Sequence, residues 1–219
     1  MFNWNENTIE WFTRASISSE FHKKLSLIIK DIIKTDSTIL DIGAGLGFLD
    51  RELSKYAKKI NLVENDSDAF NFLSNHTMSN LDLYNMSWQD YKEKNYEKSD
   101  YLLLSFFSRM DREDNLESLL SLCKDSIIYI RNENHASNDN LIKYLNTKDV
   151  KYSFTHYDLD FSQPLRENEI ELFFNSYYKR KDKNELLKKV VKKNNTYLYK
   201  NNKSISIFVI QNKNFKESK

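Results

Sequence analysis

All three glycines of this chain, Gly43, Gly45 and Gly47, fall within five residues, and the rest of the sequence contains none. At an average usage of about 7%, a chain of this length would carry roughly fifteen glycines spread over its turns. Glycine permits positive φ and lets a ligand approach the main chain, because no Cβ stands in the way. The clustering therefore indicates that the backbone of residues 43–47 takes part in binding.

Two acidic residues accompany the glycines at a spacing that suits a nucleoside. Asp41 precedes Gly43 at the end of an apolar run, and Glu64 follows a second apolar run, seventeen positions after Gly47. An acidic side chain at about this distance, at the tip of a second strand, is placed to hydrogen-bond a ribose hydroxyl. Together the glycines and the two acids indicate a nucleoside-containing cofactor.

The flanking residues predict the elements that position this turn. Residues 37–42 read as a short buried strand, and Leu46, Leu49, Leu53 and Ala57 then recur at helical spacing. The N-terminus of the helix after a tight glycine turn favours a polar or anionic ligand group. The dinucleotide fingerprint G-x-G-x-x-G would place its third glycine at position 48, where the chain has Phe48, so a nicotinamide dehydrogenase is disfavoured.

The run D-I-G-A-G-L-G (residues 41–47), after an apolar strand and before the acidic strand tip at Glu64, resembles the class I S-adenosylmethionine-dependent methyltransferases. The resemblance implies an α/β fold: a doubly wound, Rossmann-like, mostly parallel sheet of about seven strands. The last strand would be antiparallel, and helices would cover both faces. It also implies S-adenosylmethionine as the cofactor and methyl transfer as the reaction.

The same resemblance assigns the cofactor contacts residue by residue. Asp41 would support the turn and the cofactor's ammonium group, and Glu64 would bind the ribose diol. Ser87 stands where the family often has an acid that binds the adenine amino group, and Trp88 could stack on the adenine. The full set of expected cofactor contacts is Asp41, Gly43, Ala44, Gly45, Gly47, Glu64, Asn65, Ser87, Trp88 and Ser105.

The rest of the chain continues the alternation of strands and helices. Further strands are predicted at 81–84, 100–107, 126–130, 151–161, 196–200 and 204–211, and further helices at 5–15, 21–33, 115–123, 137–145, 167–178 and 184–193. We expect residues 204–210 to close the sheet antiparallel, with a helical insertion before that strand. The expected organisation is a single domain: an N-terminal helical cover (1–35), a cofactor-binding core (36–135), and an acceptor-side insertion with closing strands (136–219).

The acceptor side is expected at the tips of the fourth and fifth strands, because ligands of such sheets bind at the carboxyl ends of parallel strands. Candidates for a general base are His135, His22, Glu133 and Tyr157. In the amino-methylating DNA and protein enzymes of the family, the fourth strand ends in an Asn- or Asp-Pro-Pro-aromatic motif. The only proline here is Pro164, which argues against methylation of an exocyclic amine by that route.

The N-terminal helices supply further aromatic and polar side chains. Trp4, Trp11, Arg14 and His22 are candidates for lining the pocket. The alternative for each is a purely structural role, with the aromatic rings anchoring the helix and His22 at the surface.

Composition limits the binding partners and the cellular location that can be expected of this protein. Lys and Arg number 33 against 32 Asp and Glu, so no global attraction to nucleic acid or to an anionic membrane is expected. The basic run at 179–193 is interpreted as a solvated helix face. The sequence shows no signal peptide and no apolar run long enough to span a membrane, which predicts a cytoplasmic protein. The four histidines and the single Cys123 show no metal-ligand spacing, so no metal is expected.

The function expected from the sequence is S-adenosylmethionine-dependent methyl transfer to a small-molecule acceptor. Near-neutral charge and the aromatic N-terminal cover favour that acceptor. Two alternatives remain. One is an RNA methyltransferase that uses the basic run at 179–193, and the other is a non-catalytic subunit that keeps the fold and acts through a partner.

Overall fold

The computed structural model describes residues 4–107, 115–178, 181–194 and 196–212. The chain divides into two compact units. We call Leu25–Tyr157 with Ser204–Lys219 the sheet unit, and Met1–Lys24 with Asp158–Lys203 the insert unit. The two basic residues Lys179 and Arg180, which begin the predicted basic helix face, lie outside the described residues.

The main sheet has seven strands in the order β3-β2-β1-β4-β5-β10-β6. Its strands are β1 (Thr38–Ile42), β2 (Lys59–Glu64), β3 (Leu81–Asn85), β4 (Ser99–Ser105), β5 (Cys123–Asn132), β6 (Tyr152–Asp160) and β10 (Asn202–Gln211). The strands β3, β2, β1, β4 and β5 pair in parallel, whereas β10 runs antiparallel to β5, with Phe208 opposite Tyr129. The predicted Rossmann-like sheet with an antiparallel closing strand is thus confirmed.

Helices connect the strands of the sheet unit. They are α2 (Phe21–Lys30), which begins in the insert unit, α3 (Phe48–Leu53), α4 (Ser67–Ser74), α5 (Trp88–Glu93), α6 (Asn115–Leu120) and α7 (His135–Thr147). β4 reads Tyr-Leu-Leu-Leu over residues 101–104, all buried, as expected for a central parallel strand covered on both faces. Leu102, Ile127 and Leu141 belong to one buried core that joins the sheet to its helices.

The insert unit combines helices with a small antiparallel sheet. It contains α1 (Glu6–Ser19), β7 (Gln163–Leu165), a short 3₁₀ turn (Glu167–Glu169), α8 (Ile170–Tyr177), α9 (Lys183–Leu187), β8 (Val190–Lys193) and β9 (Thr196–Tyr199). The strand order is β7-β9-β8, with antiparallel pairing throughout. Trp11, Phe173 and Tyr199 pack in its buried core. Because Trp11 is only 1% exposed there, its predicted pocket-lining role is wrong: the ring anchors α1, with its plane edge-on to Phe173.

The prediction of a helix over 184–193 is wrong. α9 ends at Leu187, and Val190–Lys193 form β8, with Val190 opposite Tyr199 and Lys193 opposite Thr196. Val190 and Val191 are β-branched, which disfavours a helix and favours a strand once a partner strand is available. The insertion before the closing strand is therefore part helix and part sheet. The adjacent runs 196–200 and 204–211, predicted as strands, belong to different sheets.

Candidate functional site

The glycine turn joins β1 to α3 with three left-handed residues. Gly43, Gly45 and Gly47 have φ of 75°, 57° and 64°, a region that side chains other than glycine rarely adopt. The N–H groups of Gly43 and Ala44 donate to the carbonyl of Val63, at 2.8 and 3.3 Å, and that of Gly47 donates to the carbonyl of Ala44 at 3.1 Å. These bonds hold the turn against the end of β2, so the turn offers a ligand a fixed backbone that carries no Cβ at its three glycines.

Gly47 is required for packing as well as for conformation. A Cβ at this position would lie 2.4 Å from Cδ2 of Leu73, a buried residue of α4. Gly43 is close to the β4 tip, since its Cβ would lie 3.5 Å from the ring of Phe107. The turn is therefore in contact with α4 on one side and with the residues after β4 on the other.

Glu64, at the tip of β2, connects the glycine turn to the N-cap of α4 through hydrogen bonds. One carboxylate oxygen accepts the N–H of Gly45 at 2.8 Å, and the other accepts the N–H of Asp66 at 2.7 Å. The residue is 6% exposed. Each oxygen keeps a further lone pair, so the predicted ribose contact is compatible with these bonds. The connecting role itself was not predicted from the sequence.

Asp41 and Asp50 form a buried pair of carboxyl groups beneath the turn. Both residues are 1% exposed, and the two carboxyl groups are close enough to share a hydrogen bond. Burial, followed by the nearby Asp50 and Glu64, raises the pKa of Asp41 well above its usual range. Burial raises the pKa of Asp50 to about 6. Like charges in contact and out of water cannot both be ionised without cost, so the pair holds a proton near neutral pH.

The oxygens of this pair are short of donors. Apart from the contact between the two carboxyl groups, Oδ1 of Asp41 and both carboxyl oxygens of Asp50 have no hydrogen-bond partner among the described residues. Buried acceptors without donors fit a cationic group such as the ammonium of an amino acid. Asp50 was not predicted as a site residue. Its signal in the sequence is its position in the inward stripe Leu46, Asp50, Leu53, where an apolar residue is expected.

The tip of β4 is aromatic and carries backbone strain. Ser105 ends the strand half-buried, and Phe106 has φ of 55°, which is rare for a bulky side chain. The N–H of Phe106 donates to the carbonyl of Ile130 at 2.8 Å, and this bond ties the tip to β5. Strained backbone of this kind concentrates at binding sites. With the ring of Phe107 against the glycine turn, this tip forms one wall of the candidate site.

The predicted adenine contacts follow β3. Ser87 caps α5: its hydroxyl accepts the N–H of Asp90 at 3.1 Å and donates to the Asp90 carboxylate at 2.6 Å. Trp88 is half-buried and packs on the core of the sheet unit. Asn65 is exposed directly after Glu64. These residues follow the strand tips on the same edge as the glycine turn, and their contact with adenine stays a prediction.

A polar network follows β5. Glu133 accepts hydrogen bonds from Ser206, from Asn138 at 3.1 Å, and shares one with Nδ1 of His156 at 3.1 Å. These bonds, together with the charge of His156, outweigh the effect of burial and lower the pKa of Glu133. His135 is 3.6 Å from Glu133 with 95% of its side chain exposed, so it is the less organised of the two histidines.

His156 was not among the predicted base candidates, although the sequence held a signal for it. It lies at the centre of β6, whose side chains alternate between faces, so its position follows from the strand prediction alone. Its carboxylate partner Glu133 comes from a distant part of the chain, and that pairing could not be read locally. Tyr157, the next residue, is half-buried on the opposite face of β6.

His22 belongs to an aromatic cluster of the insert unit. Its ring lies 5.4 Å from that of Phe12, 5.0 Å from Phe21 and 6.0 Å from Phe161. The ammonium of Lys203 lies over the rings of Phe21 and Phe161. His22 is buried at 9% exposure, so the surface location considered for it is wrong.

Arg14 of α1 and Trp4, which precedes that helix, have partners in the insert unit. The guanidinium of Arg14 binds the carboxylate of Glu169 at 2.7 Å. The ring of Trp4 packs edge-on to Phe12 with centroids 5.3 Å apart. These contacts support the structural alternative for both residues.

The part of the chain that the structure describes shows neither a metal centre nor a membrane-spanning helix. No group of three or more His, Cys, Asp or Glu residues there could hold a metal ion. None of the described helices is both long and apolar enough to cross a membrane. Cys123 is buried as a free thiol at the start of β5, and burial raises the pKa of that thiol to about 12.

Residues 16–117 match the family of ribosomal RNA adenine dimethylases. The matched segment is just under half of the chain and includes the glycine turn, Glu64 and the tip of β4. A comparison with curated proteins gave no significant match.

Solved structures share the fold at low identity. A precorrin-6y C5,15-methyltransferase of Geobacter metallireducens is 12% identical, covers 85% of this chain and 85% of its own, and has a TM-score of 0.56. The YcgJ protein of Bacillus subtilis is 13% identical over 88% of this chain and 99% of its own, with a TM-score of 0.55. A candidate RNA methyltransferase of Pyrococcus horikoshii is 14% identical over 90% of this chain and 83% of its own, with a TM-score of 0.52. At these identities the likeness establishes the fold.

Proposed function

We propose that the chain is a class I S-adenosylmethionine-dependent methyltransferase and that it transfers the methyl group of that cofactor to RNA. The observation that carries the RNA assignment is the match of residues 16–117 to the ribosomal RNA adenine dimethylases. The matched segment contains the whole candidate cofactor site from Asp41 to Ser105. S-adenosylmethionine is the cofactor of this class, and it supplies an electrophilic methyl group on a sulfonium.

The residues of the candidate site fit this cofactor. The carboxyl pair of Asp41 and Asp50, with its unsatisfied buried oxygens, is suited to the cofactor's ammonium group. Glu64 is suited to the ribose, since each of its oxygens retains a lone pair. The glycine turn gives both groups a surface that a side chain would obstruct. Ser87 and Trp88 follow β3 on the same edge, where the adenine would lie.

The acceptor side is suited to a nucleotide base. Phe106 and Phe107 follow β4 directly, and Phe107 lies against the glycine turn. Unstacked RNA bases bind by stacking on aromatic side chains, and these two residues provide such rings close to the cofactor. The Asn- or Asp-Pro-Pro-aromatic motif is absent from this tip. We therefore propose that the RNA base stacks on the aromatic residues after β4 and is methylated without the contribution of that motif.

Glu133 and His156 lie further along the sheet. β5 is two strands from β1 and β6 is four, so at about 4.8 Å per strand they lie about 10 and 19 Å away. That distance suits contacts with the acceptor. His156, whose Nδ1 shares a hydrogen bond with Glu133 and whose side chain is 46% exposed, is our candidate for a polar contact with the acceptor.

The small-molecule acceptor expected from the sequence rested on the aromatic N-terminal cover and on the near-neutral net charge. That charge is unevenly distributed: residues 179–200 contain nine Lys and Arg against two Asp and Glu, and the remainder contains 24 against 30. A net charge of +7 in 22 residues is thus offset by −6 elsewhere. The averaged charge does not argue against RNA, and the concentrated basic segment supports it.

Methyl transfer from labelled S-adenosylmethionine tests the proposal. The purified protein is incubated with unmodified ribosomal RNA transcripts, total RNA and a low-molecular-weight extract, next to Glu64→Ala and the control Glu93→Gln. Glu93 is exposed at the last residue of α5. We expect nuclease-sensitive label in RNA with the native protein and with Glu93→Gln, and none with Glu64→Ala.

Two results would count against this function. Label only in the low-molecular-weight fraction would identify a small-molecule methyltransferase. A folded protein that binds neither S-adenosylmethionine nor S-adenosylhomocysteine in calorimetry would identify a non-catalytic subunit.

A further inference from the structure

Seven exposed lysines lie between residues 181 and 200, which we call the basic segment. The segment comprises α9, β8 and β9 of the insert unit. Its lysines are Lys181, Lys183, Lys188, Lys189, Lys192, Lys193 and Lys200, against only Asp182 and Glu185. Both acidic residues are engaged within the segment: Asp182 caps α9 and Glu185 pairs with Lys188. A strong positive surface therefore covers this part of the insert unit.

Among the described residues, most of these lysines have no carboxylate within ion-pair distance. Lys183 binds Glu171 at 3.0 Å, and Lys188 binds Glu185 at 2.5 Å. Within the described ranges, no carboxylate lies within ion-pair distance of the other five. An exposed basic helix face that is only solvated usually interleaves its charges with acids, as i,i+4 pairs do. The five uncompensated cations leave a positive field at the surface, which a polyanion would neutralise.

Aromatic and apolar side chains lie among the lysines. The ammonium of Lys192 is 5.6 Å from the ring of Tyr197, its partner across the β8–β9 pair, and that of Lys181 is 5.2 Å from the ring of Tyr178. Leu187 and Val191 are 48% and 43% exposed. Single-stranded nucleic acid is bound by this combination of cations for the phosphates and apolar or aromatic surface for the bases.

The backbone geometry also spreads the cations. β8 is an edge strand of the small sheet, and successive side chains point to opposite faces. Lys192 shares a face with the partly buried Val190, and Lys193 shares the other with the exposed Val191. An edge strand with lysines on both faces can contact phosphates on either side of a bound chain. Lysine at an edge also prevents pairing with another strand, which disfavours a protein partner there.

We propose that the basic segment binds the phosphate backbone of the RNA acceptor, an inference that rests on the RNA methylation proposed above. Its lysines position the RNA without reading its sequence, since phosphate contacts carry no sequence information. Binding through them is expected to be steeply dependent on salt.

The test removes three of the uncompensated lysines in the full chain. The variant Lys189→Gln/Lys192→Gln/Lys193→Gln is compared with Lys58→Gln/Lys94→Gln/Lys143→Gln, three exposed lysines of the sheet unit that form no ion pair with a described residue. Fluorescence anisotropy measures the affinity for a labelled 20-nucleotide single-stranded RNA from 50 to 300 mM KCl. Calorimetric binding of S-adenosylhomocysteine verifies that both variants retain a folded cofactor site.

Each phosphate contact with single-stranded RNA contributes about −0.7 to the slope of log K against log salt concentration. Losing three contacts therefore reduces the magnitude of this slope by about 2. It also lowers the affinity at 0.1 M KCl by about a hundredfold. We expect this loss in the basic-segment variant and native behaviour in the control. S-adenosylhomocysteine affinity is expected to stay unchanged in both.

The outcomes separate this inference from the proposed function. If the native protein binds and methylates RNA and the basic-segment variant keeps the native affinity and slope, the inference is overturned while the function stands. If the native protein neither binds nor methylates RNA, both are overturned. If the basic-segment variant loses the native protein's binding to anionic vesicles but keeps its affinity for RNA, the segment binds a membrane. That result would also overturn the inference.

Discussion

The substitution Asp50→Asn tests whether the buried carboxyl pair destabilises the folded protein at neutral pH. Asp50 is 1% exposed and lies in contact with Asp41, with Glu64 at the neighbouring strand tip and Arg51 adjacent on α3. Asparagine has nearly the same shape and no charge. Its amide can donate to Asp41, which has an unsatisfied oxygen. The variant therefore removes a charge and supplies a donor without opening a cavity.

The size of the effect follows from the pKa of Asp50. Burial raises that pKa from 3.8 to about 6, so the folded state binds more protons than the unfolded state between these pH values. Stability then falls as pH rises through this window and stays low above it. A shift of about two units corresponds to about 3 kcal/mol at 1.36 kcal/mol per unit. This is an upper value for the gain of Asp50→Asn at pH 7.5.

The assay is urea and thermal unfolding from pH 4 to pH 8 at constant ionic strength. At pH 7.5 we expect Asp50→Asn to exceed the native protein by about 2 to 3 kcal/mol, or about 4 to 12 °C in Tm for a chain of this size. Near pH 4 the two proteins should converge, because the pair is then protonated in the native protein. Asp139→Asn, at an exposed position of α7, is the matched control and should follow the native curve.

The reasoning would be refuted by either of two results. One is an Asp50→Asn protein that is less stable than the native protein at pH 7.5. The other is a free energy of unfolding with the same slope between pH 4 and pH 6.5 in both proteins. The first result would mean that the contact between the two carboxyl groups is stabilising. The second would mean that the pKa of Asp50 is not raised in the folded protein.

Three further predictions concern the neighbouring contacts. Glu64→Ala leaves two backbone N–H groups without their carboxylate and should weaken S-adenosylhomocysteine binding by roughly a hundredfold, about 3 kcal/mol, in calorimetry. Gly47→Ala should cost about 1 to 3 kcal/mol in urea unfolding, because φ is 64° and the new Cβ meets Leu73 at 2.4 Å; Leu73→Ala in that background should relieve the clash only. Glu133 has a lowered pKa, so its stabilisation is present above pH 4.5 and lost as pH falls through the folded value. Glu133→Gln should therefore cost about 1 kcal/mol at pH 7 and nothing near pH 3, and a constant difference across this range would contradict the network with His156.

The strand and helix pattern of the sheet unit could be predicted because its signals are local. The parallel strands β1, β2, β4 and β5 each contain a short apolar run, and the glycine turn marks the first connection unambiguously. The antiparallel strand at 204–210 was also predicted correctly, because the run is rich in β-branched and aromatic residues. Asp50 and His156 were missed because their roles depend on partners, Asp41 and Glu133, that only the folded chain brings into contact.

The insert unit shows where local pattern is insufficient. Lys188–Lys193 has helical spacing of charge, and only pairing with residues 196–199 makes it a strand. The same segment explains why the sequence analysis favoured a small-molecule acceptor. A net charge of +1 over the whole chain averages a segment of +7 with a remainder of −6. Electrostatic attraction falls off over about 10 Å at physiological salt, so RNA responds to the local charge and not to the sum. For this chain, the charge of the local surface segment is the physically relevant quantity, and it favours a polyanionic acceptor.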